Sequence, residues 1–403
     1  MSMLRKLDLA SPAFLADRRA GYRTFRAESP VATADINDEE VIVLTRFDDA
    51  EQLFRSAKAV VNPAPNEIPA HLGDGIASLY YRLNIASSDG SAHVRLRKIL
   101  NPLFSPKMIA QMHGWVDDIV RGCLDAVGGS REIELVTSLS LPIPISVTCA
   151  LLAMPVEDAG LLLERIEPMT AVMSQAELSA EALGHSNEAT ELYFDYFDRH
   201  IQKHAHAPAT GITGTLIAGM NDGILSRDDV ICAHIAIFIA AIHTTMTTIT
   251  NAVTLFAHHP DQRAMLRDNP ALMDQAWEEV LRYDSPVHFR HRYVSEPIEI
   301  GGYRIEPRRK VMVALASCNL DESRFPDGDR FDIMREPIRH MSFGGGTHFC
   351  LGAHLGRVEG KSFLRQFLAR YPEYRLSDKP VIRNHDLTFP HVAQMFVELG
   401  DPA

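Results

Sequence analysis

Hydrophobic residues recur at two different periods along the chain, and the changes of period predict its fold class. A strand is predicted for residues 40–44 and a short helix for 48–56. Residues 91–270 then follow a helical period interrupted by proline-bounded breaks, and a last helix is predicted for 353–371. Short strand-like runs occur late in the chain, at 298–305, 310–315 and 386–399. The sequence therefore predicts a mostly α protein with small β-sheets, an α+β fold.

Two stretches depart from this regular pattern. Residues 62–91 are rich in Pro, Gly, Ser and Asn, which predicts a long irregular loop, with at most a helical turn, of the kind that is usually functional. Residues 230–256 contain no Asp, Glu, Lys or Arg and are long enough to cross a bilayer. They include two histidines and Asn251, however, and no basic or aromatic belt flanks them. We therefore predict a long helix through the middle of one domain spanning residues 1–403.

Composition excludes several classes of function and indicates a cellular compartment. The net charge of -12 and the pI near 5.8 argue against general nucleic-acid binding. Five widely spaced cysteines form neither a disulfide framework nor a zinc-binding pattern, which favours a reducing compartment. The first residues lack the apolar core of a signal peptide. We expect a cytoplasmic protein with no membrane or nucleic-acid partner.

Residues 343–352, Phe-Gly-Gly-Gly-Thr-His-Phe-Cys-Leu-Gly, combine three chemical features, and we call them the cysteine loop. Their glycines permit tight turns and close approach to a flat ligand. Cys350 precedes the last predicted helix, whose N–H groups and dipole stabilise a thiolate, and His348 offers a ring N–H. Such a loop can hold a metal macrocycle by one axial sulfur. The other interpretation is a buried structural cysteine beside a flexible turn.

The cysteine loop resembles the haem-binding loop of the cytochrome P450 family, F-G-x-G-x-H-x-C-x-G, with every defined position matched. The resemblance implies the cytochrome P450 fold and a haem b cofactor (iron protoporphyrin IX). It also implies that Cys350 is the thiolate ligand of the haem iron.

Further motifs match the family in order and spacing. His93 and Arg97 share a helix face and resemble the family's H-x-x-x-R, which binds a haem propionate. By the same resemblance, Arg292 and His348 also contact the propionates, although the nearby Arg290 could take the place of Arg292. Taken alone, a basic helical turn is more often a solvated surface.

A second pair of charges suggests a structural network. Glu279 and Arg282 lie three residues apart on one predicted helix, which suits a local ion pair of the kind common on exposed helices. They match the family's E-x-x-R, and residues 325–331 match the segment that supplies a second arginine. The resemblance therefore implies a buried network of Glu279, Arg282 and Arg330 behind the cysteine loop.

The long helix carries the candidate catalytic residues. Family members read A-G-x-(D/E)-T here, whereas this chain keeps Ala240 and Thr244 but has Ala241 and His243 at the altered positions. A histidine can relay protons near neutral pH, so we predict Thr244 and His243 as catalytic. The alternatives are that His243 is a core histidine and that Thr244 only bonds back to the preceding turn.

The resemblance also implies a substrate, an oxidant and partners. The expected activity is that of a haem-thiolate monooxygenase, which inserts one oxygen atom from O2 into a small organic substrate. Electrons would come from a ferredoxin and its ferredoxin reductase, docked at a basic patch of Arg95, Lys98 and Arg357. The alternatives are a peroxygenase, isomerase or dehydratase that does not activate O2, and a non-catalytic haem sensor. The predicted substrate pocket comprises Ala240, Ala241, Val287, His288, Phe289 and His391.

Overall fold

The structure is a computed structural model. It describes residues 4–36, 39–63, 67–69, 72–174, 178–206, 211–336 and 339–400.

Helices dominate the middle of the chain, as the hydrophobic period predicts. In the described residues the α-helices are α1 (Pro12–Ala16), α2 (Arg18–Glu28), α3 (Phe47–Arg55), α4 (Ile76–Leu83), α5 (Gly90–Leu103), α6 (Pro106–Ala110), α7 (His113–Ala126), α8 (Pro142–Leu151), α9 (Ala159–Leu163), α10 (Ile166–Ser174), α11 (Ala180–His204), α12 (Gly211–Asn221), α13 (Arg227–His258), α14 (Pro260–Asp268), α15 (Met273–Tyr283), α16 (Leu315–Cys318) and α17 (Ala353–Arg370). Short 3₁₀ turns occupy Val156–Asp158, Pro270–Leu272 and Gly346–His348, and Val136–Ser140 is a π-helical turn.

The strands form small sheets at both ends of the chain. They are β1 (Lys6–Leu7), β2 (Val31–Ile36), β3 (Glu39–Leu44), β4 (Ala59–Val60), β5 (Glu132–Glu134), β6 (Phe289–Val294), β7 (Ile298–Ile300), β8 (Tyr303–Ile305), β9 (Lys310–Ala314), β10 (Arg375–Leu376), β11 (Ile382–Asn384), β12 (His391–Gln394) and β13 (Phe396–Glu398). The largest sheet has the order β1-β2-β3-β9-β6-β4, and its pairs are parallel only at β1-β2 and β3-β9. The predicted α+β class is confirmed.

Helix α13 is the element around which the helical part is packed. It begins with a capping box, in which Asp229 N–H donates to Ser226 Oγ over 3.1 Å and Ser226 N–H donates to the Asp229 carboxylate over 2.9 Å. Helices α8, α11, α15 and α17 pack against it. By length and composition alone α13 could cross a membrane, but 67% of its most apolar window is buried inside the protein. Its hydrophobicity is therefore that of a core helix.

The stretch predicted as a long loop is more ordered than expected. Within 62–91, helix α4 packs against α10 and α11, and it buries Ala77 and Tyr80. The composition predicted no more than a helical turn here, because the apolar face of α4 spans only two turns between polar segments. Residues 64–66 and 70–71 of this stretch lie outside the described residues.

The contact between α15 and α17 depends on Gly360, which has no side chain. A Cβ placed on Gly360 would lie 1.7 Å from Cζ2 of Trp277, which is 1% exposed. Because two helices would have to move apart, we expect Gly360→Ala to cost about 2 kcal/mol or more of folding free energy. The measurement is thermal or urea unfolding of the purified protein.

Gly122→Ala on α7 is the matched control, since nothing lies within 4 Å of a Cβ placed there. It should be neutral or stabilising, because alanine favours helix over glycine by up to about 1 kcal/mol. Equal unfolding midpoints for the two variants would contradict the predicted clash.

Candidate functional site

The cysteine loop is folded tightly against the end of α3. Cys350 N–H donates to the Phe343 carbonyl over 3.0 Å and closes the loop. Gly346 has φ +67°, and a Cβ placed there would lie 2.0 Å from the Phe54 carbonyl oxygen. Only glycine combines this conformation with such a close approach. The loop therefore delivers Cys350 to the start of α17, where the sequence predicts it.

Cys350 is exposed, yet it lies deep enough among protein groups for its chemistry to be altered. Burial raises the pKa of its thiol, while the N–H of Gly352 and the charges of Arg290, Arg97 and Arg357 act in the opposite direction. The net effect is a raised pKa. These groups nevertheless form an environment in which a thiolate is stabilised once a metal cation shares its charge.

Four residues near the loop form a compact group, which we call the histidine cluster. The rings of His93 and His348 stack with centroids 4.1 Å apart, and Arg97 Nε donates to His93 Nε2 over 3.3 Å. Arg97 Nη2 also donates to the Phe349 carbonyl over 2.5 Å. Burial, together with the nearby cations, lowers the pKa of His93 to about 4, so this ring is neutral at pH 7. The fourth member, Asp89, accepts from His348 Nε2 over 3.0 Å.

Asp89 was not predicted from the sequence. Burial tends to raise its pKa, but hydrogen bonds from His348 and the Val61 backbone outweigh burial, and the pKa is lowered. Its position directly before α5, where acidic side chains commonly cap helices, is the only sequence signal that it offers.

Two arginines of β6 lie on the same face of the strand, two residues apart. Arg292 is buried, donates from Nη1 to the His291 carbonyl over 2.7 Å, and lies 5.0 Å from the ring centroid of Phe54. Burial lowers its pKa to about 10, and its charge lowers the pKa values of His93 and His348. Arg292 therefore borders the histidine cluster, as the predicted set of donors requires.

The predicted Glu279–Arg282 pair exists and is buried. Arg282 Nε and Nη2 donate to the two carboxylate oxygens of Glu279, each over 2.7 Å, and both side chains are at most 3% exposed. Arg282 Nη1 also donates to the carbonyls of Asn319 and Gly328, each over 2.8 Å. A buried guanidinium is stable only when its donors are satisfied in this way.

The assignment of Arg330 as the second arginine was wrong. Its side chain is 66% exposed and pairs with Asp332 over 2.6 Å, and only its backbone carbonyl accepts from Arg282. Arg335 takes the inner position: its side chain is 10% exposed, and Nε lies 3.4 Å from Glu279. The chain turns between these residues, so the later arginine is the one that faces inward.

Hydrogen bonds connect this network directly to the cysteine loop. Asn319 Oδ1 accepts from Met341 N–H over 2.6 Å, and its Nδ2 donates to Ser342 Oγ over 2.8 Å. On the outer side, Arg357 donates twice to Glu278, over 2.6 and 2.8 Å. Burial would raise the pKa of Glu278, but hydrogen bonds from Arg357 and a histidine lower it to about 2. The residues immediately before the cysteine loop are therefore fixed by buried polar contacts.

The middle of α13 has an exposed face although most of the helix is buried. Ala240 is exposed, Ala241 and Thr244 are half-buried, and the Thr244 hydroxyl donates to the Ala240 carbonyl over 3.0 Å. His243 is half-buried, and burial, followed by the charge of His391, lowers its pKa. The small side chains leave room beside the helix, and the threonine bonds back to the preceding turn.

The predicted pocket residues divide into two groups. His391 lies beside the exposed face of α13. Its ring centroid is 5.9 Å from that of His243, and the two rings are nearly perpendicular. Val287 and Phe289 are instead core residues, 5% and 0% exposed, so the prediction that they line the pocket was wrong. His288 is also misassigned, because its Nδ1 lies 2.8 Å from the Tyr22 hydroxyl of α2. Alternation along β6 turns Phe289 towards the opposite face from Arg290.

One electrostatic interaction and a series of contacts connect the thiol to α13. The charge of Arg290 acts on Cys350, and its guanidinium lies 5.1 Å from the ring centroid of Phe389. The Phe389 carbonyl lies 3.0 Å from Nδ1 of His391, which in turn faces His243. The cysteine loop, β6, the residues before β12 and α13 therefore surround one site.

The family model described as Cytochrome P450 matches residues 22–389. The chain belongs to the cytochrome P450 family. It is accordingly a monooxygenase of the oxidoreductase class, and the family's cofactor is haem.

Relatives and solved structures agree with this membership. The chain is 30% identical over 380 residues to 6-deoxyerythronolide B hydroxylase of Saccharopolyspora erythraea, and 92% of each chain is covered. P450BioI, solved in complex with hexadec-9Z-enoic acid ligated acyl carrier protein, matches with TM-score 0.89 at 27% identity, covering 96% of this chain and all of that one (100%). Myxobacterial cytochrome P450 CYP267B1, solved with myristic acid, matches with TM-score 0.88 at 28% identity, covering 97% and 98%. The predicted cytochrome P450 fold is confirmed.

The two arginines near Glu279 provide a direct test of the corrected network. Arg335 donates to the carbonyls of Pro326, Asp327 and Arg330 over 2.6, 3.0 and 3.1 Å. We expect Arg335→Met to cost about 2–3 kcal/mol, because it removes one of the cations that pair with the buried Glu279 carboxylate. Arg330→Met should cost less than about 1 kcal/mol, since its ion pair is exposed.

The measurement is the thermal unfolding midpoint, together with the fraction of haem retained after purification. Equal losses for the two variants, or a larger loss for Arg330→Met, would show that the inner position is not occupied by Arg335.

Proposed function

We propose that this cytochrome P450 binds haem b through Cys350 and inserts one oxygen atom from O2 into a small organic substrate. The observation that supports the proposal is the exposed thiol of Cys350, which receives the N–H of Gly352 and lies within the electrostatic reach of three arginines. When bound, haem supplies the iron chemistry that activates oxygen and oxidises the substrate.

The residues around Cys350 fit a flat group with two carboxylates. Arg97 and Arg292 supply permanent positive charge, and His93 and His348 supply ring nitrogens on the same side of the site. We propose that these four residues hold the haem propionates, since charge-assisted hydrogen bonds are the strong ones at such a site. On the α13 side of the site, the small exposed side chain of Ala240 leaves space for the flat face of the haem ring.

Proton delivery on the α13 side is assigned to His243 and Thr244. The Thr244 hydroxyl donates to the Ala240 carbonyl, so it must rotate away from that carbonyl before it can donate to a bound ligand, and any proton that it transfers must be replaced. His243, with a lowered pKa, is neutral at pH 7 and can donate from one ring nitrogen while accepting at the other. His391, 5.9 Å away between ring centroids, extends this path towards β12. We propose that His243 replaces the acid that other family members have here.

Electrons are proposed to come from a ferredoxin and its ferredoxin reductase in the cytoplasm. Of the three residues of the expected docking patch, Arg95 is held by Asp229 over 3.0 Å and Arg357 by Glu278. Lys98 is exposed and pairs with no acid in the described residues. Lys98 is therefore the cation of this patch that is most available to an acidic partner.

A peroxide-dependent reaction is the second candidate. The observation that favours it concerns α13. The residue directly before Thr244 is a histidine instead of a carboxylic acid, and the threonine hydroxyl donates to a carbonyl of its own helix. Peroxide brings both oxygen atoms already reduced, so this route depends less on proton delivery by the chain.

The reduced, CO-bound absorption spectrum tests the haem ligand. We expect the wild-type protein to show the band typical of thiolate ligation, and we expect Cys350→Ser to lose it because the sulfur is removed. Cys123→Ser on α7 is the control for a cysteine that is only partly buried and should leave the spectrum unchanged. A wild-type band typical of imidazole ligation would overturn the assignment of Cys350.

Turnover of a compound found by spin-shift screening tests the role of His243. We expect His243→Ala to lower turnover with ferredoxin, reductase and O2 at least about 100-fold, because a positioned proton donor contributes that much. Turnover driven by hydrogen peroxide should fall far less. His354→Ala, an exposed histidine of α17, is the control.

If His243→Ala lowers turnover equally with ferredoxin and O2 and with hydrogen peroxide, the role of His243 is structural. Efficient wild-type turnover with peroxide and none with ferredoxin and O2 would favour the peroxygenase instead.

A further inference from the structure

Arg290 carries a positive charge that the described residues leave unpaired. Its side chain is exposed, although it lies on β6, which is not an edge strand of its sheet. The neighbouring residue Phe289 is 0% exposed. Its guanidinium lies 5.1 Å from the ring centroid of Phe389. Among residues 4–36, 39–63, 67–69, 72–174, 178–206, 211–336 and 339–400, no ion pair or side-chain hydrogen bond of this guanidinium is found.

The neighbouring Arg292 does not share this property. Arg292 donates to a backbone carbonyl over 2.7 Å and acts electrostatically on both rings of the histidine cluster. The charge of Arg290 acts instead on Cys350, and it is not among the main influences on His93 or His348. Arg292 therefore faces the proposed propionate site, whereas Arg290 faces the part of the site nearer to Phe389.

The surroundings of Arg290 are positive or neutral. His391 is anchored by Nδ1 to the Phe389 carbonyl over 3.0 Å, and it faces His243. Glu167 of α10, which is exposed, is the acid whose charge acts on His243, and it raises the pKa of that ring against the effect of burial. No described carboxylate forms an ion pair with Arg290 or either histidine.

The Arg290 side chain is exposed, yet the surrounding protein atoms remove part of its hydration and lower its pKa, and a bound anion would offset that loss. A carboxylate satisfies such a group well, because the planar fork of N–H donors matches the two oxygens. The aromatic ring of Phe389 beneath the guanidinium holds the side chain in place by a cation–π contact.

We propose that Arg290 binds the carboxylate of the substrate, so that this cytochrome P450 oxidises organic acids. The inference rests on the proposed function, because it takes the space between Cys350 and α13 as the place where the substrate is oxidised. The acid is anchored by Arg290 beside Phe389, and the remainder of the molecule extends towards Ala240 on α13.

Binding of matched acids and amides to the haem-loaded enzyme tests the proposal. The probes are dodecanoic acid with dodecanamide, and 3-phenylpropanoic acid with its amide. Binding of each probe is measured by equilibrium dialysis and by the spin-state change of the haem spectrum. We expect each acid to bind at least about 10-fold more tightly than its amide. We expect Arg290→Gln to weaken acid binding by roughly 10- to 100-fold, the range of a charge-assisted hydrogen bond, and to change amide binding by less than about threefold.

Two further variants separate this role from haem binding. Arg290→Lys should restore part of the preference for acids, because it keeps the charge but loses the fork of donors. Arg292→Gln should lower haem retention without changing the acid-to-amide ratio. If Arg290→Gln lowers haem retention and leaves that ratio unchanged, Arg290 is a propionate ligand and the proposal is wrong.

Other results would also overturn the proposal. These are equal wild-type affinities for acids and amides, no measurable binding of either acid, and tighter binding of dodecyl phosphate than of dodecanoic acid. The CO-bound spectrum is read independently, so an incorrect haem ligand can be distinguished from an incorrect substrate class.

Discussion

The burial of Arg282 is the constraint on which the rest of the site depends. A guanidinium that is 2% exposed would be strongly destabilising without partners, and here Glu279 and backbone carbonyls from two loops satisfy its donors. One of those loops contains Asn319, whose amide holds Ser342 immediately before the cysteine loop. A charge that must be neutralised inside the protein thereby fixes a segment that is otherwise rich in glycine.

The cysteine loop follows the same principle at shorter range. Gly346 allows the backbone to approach the Phe54 carbonyl, and this contact positions Cys350 at the start of α17. Arg357 is held by Glu278 and lies 4.4 Å from the ring centroid of Phe343, so its charge reaches the thiol from a fixed place. Arg282 and Arg357 on this side are both paired with glutamates, which suits a rigid support for a cofactor.

The opposite side of the site is less constrained. There, the Thr244 hydroxyl donates within α13, and the rings of His243 and His391 lie against each other without an ion pair to any acid that the structure describes. Arg290 adds a positive charge whose contact among the described residues is the ring of Phe389. On the side of the cysteine loop, Arg282 and Arg357 are paired with glutamates, whereas on the α13 side Arg290 has no anionic partner among the described residues. For this reason we place substrate recognition on the α13 side.

The sequence by itself determined the features whose contacts are local. The helical period and the Glu279–Arg282 pair involve neighbours within one element, so spacing alone predicts them. The cysteine loop is a contiguous motif, and its role was implied by its resemblance to the haem-binding loop of the family. Which arginine turns inward was decided by tertiary structure: Arg335 lies inside and Arg330 outside because the chain turns between them. Likewise His288 is taken by a tyrosine of α2 that lies 266 residues away in the chain. Such distant partners are set by how the elements pack, and a periodic pattern carries no information about that packing.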